Sequence, residues 1–120
     1  MATFTKIPLS GSTDGRGIHI DDAATPGKTV HTGSTTTSTI DEIWLYAANY
    51  DTTDRKLTIE WGGATAGGDI MEFTVPAESG LYLVVPGLII KGNATPLVVA
   101  AFAATTSAIN IFGYVNRITA

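Results

Sequence analysis

Apolar and polar residues alternate with period two along much of the chain, and no window carries the 3.6-residue recurrence of a helix. The clearest window is Arg55 to Trp61, where Leu57, Ile59 and Trp61 alternate with Lys56, Thr58 and Glu60. It predicts a strand with Leu57, Ile59 and Trp61 inside and Lys56 and Glu60 in water. Ile40 to Tyr50 is apolar on both faces: Ile43, Leu45 and Ala47 alternate with Trp44, Tyr46 and Ala48. A strand of that kind belongs in the middle of a sheet. The turn Asn49 to Asp54 would make these two windows a hairpin. Further windows are Gly17–Asp21, Lys28–Thr32, Asp69–Val75, Leu81–Val85, Leu97–Ala103 and Ala108–Ile118. Pro86-Gly87 is expected to break or bend the chain before Leu88-Ile89-Ile90.

Turn chemistry separates the windows. Pro26-Gly27, the polar run Gly33–Thr39, the glycine-rich Gly62–Gly68, Pro76–Gly80, Lys91–Pro96 and Thr105-Thr106-Ser107 all mark reversals. About eight short strands at regular spacing predict an all-β protein, an antiparallel β-sandwich of jelly-roll or immunoglobulin-like order. Residues 1–16 are expected to form an N-terminal arm and residues 17–120 a single sandwich domain. Because it begins at Met1 and closes just after its last strand window, the chain is expected to be a whole small gene product.

Composition agrees with this. The 120 residues include 13 Gly and no Cys, with 15% charged residues. Without Cys there are no disulfides, thiolate nucleophiles or cysteine metal ligands. The net charge of −4 argues against nucleic acid as a partner, because phosphate binding needs a basic face. No basic segment followed by an apolar run opens the chain, so no secretory signal is read. The uncharged run Gly92–Asn116 is interrupted by Pro96, Thr105-Thr106-Ser107, Asn110 and Gly113, too often for a membrane span. A soluble protein is expected. All 11 acidic residues lie before Ser79, whereas Lys91 and Arg117 are the only charges after it. An end so poor in charge is expected to be buried in a core or a subunit interface.

Candidate chemistry is thin. His19, Asp21 and His31 form the best metal candidate, because a hairpin across Pro26-Gly27 would bring His31 near the other two. With too few ligands and no supporting groups, they read as surface residues, and no metal site is assigned. Asp51 and Asp54, beside Asp41 and Glu42, suggest a Ca²⁺ loop but lack its spacing, so turn capping is expected. Gly62–Gly68 lacks the Lys and Ser/Thr of a phosphate loop. Asn93-Ala94-Thr95 matches a glycosylation sequon, but Pro96 follows. Glu60, Glu72 and Glu78 read as solvated rather than as a glycosidase pair. No Ser lies in a nucleophile elbow, so a small hydrolase would have to join His19 or His31 to a distant Ser and Asp. Trp44, Tyr46, Tyr50, Trp61 and Tyr82 suggest a sugar platform, although Trp44 and Trp61 are expected to pack inside. No catalytic residue and no cofactor are assigned.

Four stretches carry a resemblance. They are Glu42-Ile43-Trp44-Leu45-Tyr46-Ala47-Ala48-Asn49, Lys56 to Gly63, Val75-Pro76-Ala77-Glu78-Ser79-Gly80 and Ala104 to Val115. Together they are similar to small β-sandwich virion proteins of tailed bacteriophages, over roughly residues 40–118. The resemblance implies a structural role, above all a capsid decoration (cement) protein that binds the major capsid protein and stabilises the head. A small connector, tail or fibre component is the alternative within that group, and a carbohydrate-binding β-sandwich module the alternative outside it. It also implies assembly in the host cytoplasm, location on the capsid surface and a homo-oligomer, with a trimer favoured by the threefold positions of capsid lattices. It carries no catalytic residues. No membrane and no nucleic acid are expected among the partners.

Overall fold

The structure, a computed structural model, describes residues 2–65 and 67–119. It contains nine strands: β1 (Thr3–Pro8), β2 (Ile18–Ile20), β3 (Lys28–Thr32), β4 (Thr39–Asn49), β5 (Arg55–Trp61), β6 (Ile70–Val75), β7 (Tyr82–Lys91), β8 (Val98–Ala103) and β9 (Ile109–Thr119). Among the described residues no helix is long and apolar enough to cross a membrane. Every strand pairing is antiparallel. One sheet runs β1-β9-β4-β7, with β2 also on β9; the other runs β3-β8-β5-β6.

Strands β2 to β9 therefore fall into two four-stranded paths, β2-β9-β4-β7 and β3-β8-β5-β6, which is jelly-roll order. The protein is an all-β antiparallel sandwich, as the strand windows predict. From β2 onward the chain changes sheet at every connection except β5–β6. This corrects the expected hairpins. Strands β4 and β5 lie in different sheets, as do β2 and β3, and β8 and β9. The turns between them carry the chain across the sandwich rather than back along one sheet.

The core lies between the sheets, where one side chain in two points inward. Ile43, Leu45 and Ala47 of β4 and Ile109, Ile111 and Val115 of β9 meet Leu57 and Ile59 of β5 and Val99, Ala101 and Ala103 of β8. Two further expectations change. The stretch 1–16 was expected as an arm, but Thr3–Pro8 is an edge strand on β9, and Ile7 and Leu9 turn into the core. Pro86-Gly87 does not end a strand: β7 runs through it on an irregular register with β4. Gly87 has φ +79°, a backbone conformation that favours glycine, and a Cβ there would stand 3.0 Å from the Trp44 ring, so the ring would have to give way to any side chain.

Candidate interaction surface

The outer face of the β1-β9-β4-β7 sheet is the most distinctive surface. Cross-strand pairing places Trp44 opposite Tyr114, Tyr46 opposite Phe112 and Glu42 opposite Asn116. All six lie on the opposite side of their strands from the core residues Ile43, Leu45, Ile111 and Val115 and so point outward, and all are half-buried. Around them stand Phe4 (73% exposed), Leu83 (46%) and Ile89 (53%), each paired in register with an outward residue of β9 or β4. A sheet face in water normally carries polar residues, as Lys56 and Glu72 do on the other sheet, where they form an ion pair at 2.8 Å.

The rings stand as a stack across the strands. Trp44 and Tyr114 are nearly parallel, 10° apart, with centroids 6.1 Å apart. On the far side of Tyr114, Lys6 of β1 holds its Nζ 4.8 Å from the ring centroid. On the far side of Trp44 lies the Gly87 backbone of β7. Trp44 Nε1 donates to Glu42 Oε1 at 2.8 Å, and Asn116 Nδ2 donates to the same oxygen at 2.9 Å. These two hydrogen bonds hold the Glu42 carboxyl below its ordinary pKa. Both faces of each ring are thus occupied, and the ring edges meet solvent. Sugar recognition by stacking needs a free ring face, whereas protein contact needs only apolar area and shape. Trp44, expected inside, stands on the outer face; Trp61 packs against the core from a half-buried position, on the side its pattern predicts.

The metal candidate comes apart in the structure. His19 faces outward with Nδ1 2.9 Å from Asn110 Oδ1. Asp21 is ion-paired with Lys28 at 3.1 Å. His31 is inside and 1% exposed. Among the described residues no group of three His, Asp or Glu side chains is placed to hold a metal. His31 reaches the interior because the β3–β8 register breaks between Thr29 and His31, so Val30 and His31 both turn inward.

There His31 ties the two sheets together. Its Nε2 lies 2.7 Å from Asp41 Oδ2 of β4. Asp41 also accepts from Arg117 of β9, Nε at 2.7 Å and Nη2 at 2.8 Å. The Ser10 backbone N–H donates to His31 Nδ1 at 3.1 Å. An N–H can only donate, so Nδ1 carries no proton and the neutral ring donates through Nε2. Burial pushes the imidazole pKa down against the pull of Asp41, and the net shift is downward. For Asp41, burial raises the pKa, but hydrogen bonds from Arg117 and then His31 outweigh it, and the net shift is downward. Both ring nitrogens are engaged and Ser10 offers its amide rather than its hydroxyl, so His31 is not arranged as a general base. This cluster was not read from the sequence; Asp41 and Arg117 are 76 positions apart.

The remaining candidates cap turns. Asp51 accepts from the Thr52 amide at 2.7 Å and from Arg55 Nε at 2.9 Å, and Asp54 accepts from the Ala77 amide at 2.8 Å. Asn93 Oδ1 accepts from the Thr95 amide at 3.2 Å. Glu78 lies in the turn before β7. Glu60 contradicts its expectation. It is on the outward side of β5 yet 2% exposed, because the segment Thr25–Gly27 folds over it. The Gly27 amide donates to Oε1 at 2.7 Å and the Thr25 hydroxyl bonds Oε2.

No family model and no curated protein matches the chain. Among solved structures, it is similar to an exo-β-1,3-galactanase from Phanerochaete chrysosporium, determined with β-1,3-galactotriose, at 18% identity and a TM-score of 0.49. The likeness covers 97% of this chain and 27% of that one, and at that score it carries no argument about activity.

Proposed function

We propose that the protein is a structural component of a tailed-bacteriophage virion, a capsid decoration protein that works by covering and clamping its neighbours. The observation that supports this is the outer face around Trp44, Tyr46, Phe112 and Tyr114: broad, largely apolar, and with the Trp44 and Tyr114 rings stacked on each other and Lys6 over Tyr114. Such a face gains by being covered with protein, and a copy of the same chain is the simplest cover, since soluble oligomers are mostly symmetric. A trimer suits the threefold positions of a capsid lattice. The interior His31–Asp41–Arg117 cluster serves the same end by tying the two sheets of a small domain together.

Mass spectrometry and cryo-electron microscopy of purified virions test the role. The expected result is many copies per particle, with density on the capsid surface. Density at the portal or in the tail would remove the decoration role, and absence from the particle would remove the structural reading. On the pure protein, Phe112→Lys with Tyr46→Lys is expected to abolish self-association in light scattering. Saturable binding of a glycan, lost in the same variant, would favour a carbohydrate-binding module instead.

A further inference from the structure

The second sheet carries a different surface on its outer side. A groove of about 440 Å³ opens there, between the segment Thr25–Gly27, the turn after β5 and the turn before β8. Its walls include Pro26, Ala64, Pro96, Leu97, Val98 and Ala100, and Glu60 also lines it. Among the described residues of the lining, Glu60 is the one ionisable side chain. No described cation pairs with it: Lys28 is on Asp21, Lys56 on Glu72, Arg55 on Asp51 and Arg117 on Asp41. Its two partners, the Gly27 amide and the Thr25 hydroxyl, use two of the roughly four acceptor positions a carboxylate has. Burying a carboxylate without a counter-charge is costly, and such groups are ordinarily paired.

From this we infer that the groove is a docking site for one cationic side chain, a lysine or arginine presented by a partner protein. Lysine and arginine have an apolar stem and a charged, hydrogen-bonding head. The groove offers the complement of both: aliphatic walls along its length and, in its lining, a buried carboxylate that has two hydrogen bonds but no counter-charge. A volume of about 440 Å³ lies within the range of roughly 300–1,000 Å³ seen for small-molecule sites, enough for such a side chain. Gly27 is part of the device. A Cβ there would lie 2.5 Å from the Ala101 carbonyl oxygen, so only glycine lets this segment come down and point its amide at Glu60. The site lies on the opposite sheet from the aromatic face and does not depend on the role proposed for that face.

The test is a titration of the ¹⁵N-labelled full chain, followed by amide chemical shifts. The probe is Nα-acetyl-lysine methylamide, with its norleucine analogue as the uncharged control and the arginine analogue as a second cation. Saturable shifts at Gly27, Gly62, Gly63, Val98 and Ala100 are expected with both cations, with norleucine binding weaker by about tenfold, the effect of losing one charge-assisted hydrogen bond. Glu60→Gln should bring the lysine probe to the norleucine level, with little change for norleucine. Should Glu60→Gln not fold, Ala64→Phe decides, because it fills the groove from an exposed loop position without touching the carboxylate; lysine binding should then be lost. No saturable shifts, equal shifts from lysine and norleucine, or binding unaffected by Ala64→Phe would each overturn the inference.

Discussion

Asp41→Asn tests the link between the two sheets most directly. The side chain keeps its size and loses its charge. In the native protein three donors converge on the carboxylate: His31 Nε2–H, Arg117 Nε–H and Arg117 Nη2–H. An amide offers one oxygen and places an NH₂ where the second oxygen was, so at least one donor faces another donor. Arg117, with its side chain 31% exposed, can turn to water; His31 and Asp41, each 1% exposed, cannot. Orphaning a buried donor costs about 1–3 kcal/mol, and the remaining bonds lose the strengthening that charge gives them. The expected loss is therefore about 2–3 kcal/mol, within the range for breaking a buried polar network. Unfolding entropy of about 2.1 cal/mol/K per residue, over the 120 residues, converts each kcal/mol to roughly 4 °C, so Tm should fall by about 8–12 °C. Calorimetry on the purified variant reads this, with far-UV circular dichroism confirming a native β spectrum before heating. A fall under about 4 °C, less than 1 kcal/mol by the same conversion, would refute the reasoning and show that the sheets hold together without the cluster.

Two further outcomes follow from the same structure. His31 has a folded pKa below its ordinary 6.5, so below that value the unfolded chain binds a proton that the folded chain does not. Stability is then full above pH 6.5 and is lost as pH falls towards the folded value, so Tm should decline on acidification from neutral pH, and His31→Gln should flatten that slope. Asp41, also depressed, adds a second loss below its ordinary 3.8, which Asp41→Asn should remove. Gly87→Ala should cost roughly 1–2 kcal/mol for a left-handed backbone alone, and Trp fluorescence should shift as the Trp44 ring moves away from the new Cβ, which would otherwise stand 3.0 Å from it.

The strands were legible because period-two alternation reports which side chains meet a core, and Leu57 and Ile59 are buried where that rule puts them. What the rule cannot report is the cover on the outward side. Glu60 reads as wet, but a segment 33 residues away in sequence folds over it. Trp44 stood on a strand apolar on both faces, and there alternation does not say which face is the core. His31 escaped because a register break turns two successive residues inward. Turn residues announced every reversal from β2 onward, but the chemistry of a tight turn is the same whether the next strand pairs with the last or crosses to the other sheet. The jelly-roll order is decided by long-range pairing such as β4 with β9, which local pattern does not encode. Among the site residues, the sequence named the aromatics of β4 but placed Trp44 inside, and their pairing with Phe112 and Tyr114 of β9 rests on a long-range register that local pattern does not encode.

How copies would meet can be argued from the sheet edges, and it gives the last prediction. A sandwich associates through its faces or by adding strand to strand at an open edge. Strand β7 closes one side of the first sheet and has the exposed apolar residues Leu81, Leu83, Leu88 and Ile89 near it, which would invite strand addition. Its backbone is a poor template, however. Pro86 has no amide to donate, Gly87 is in a left-handed conformation, and the register with β4 breaks twice along the strand. Strand β3, an edge of the second sheet, has its own break between Thr29 and His31. Natural edges interrupted in this way resist pairing. The aromatic face has no such obstacle, since contact there needs no backbone hydrogen bonds. Association should therefore proceed face to face rather than through β7 or β3, and amide hydrogen exchange separates face contact from strand addition at β7. In the assembled state the amides of β7 should exchange at nearly their monomer rates, while Phe112→Lys with Tyr46→Lys dissociates the particle. New slow-exchanging amides along Tyr82–Lys91 in the assembly, with the face variant still associated, would show that the edge and not the face makes the contact.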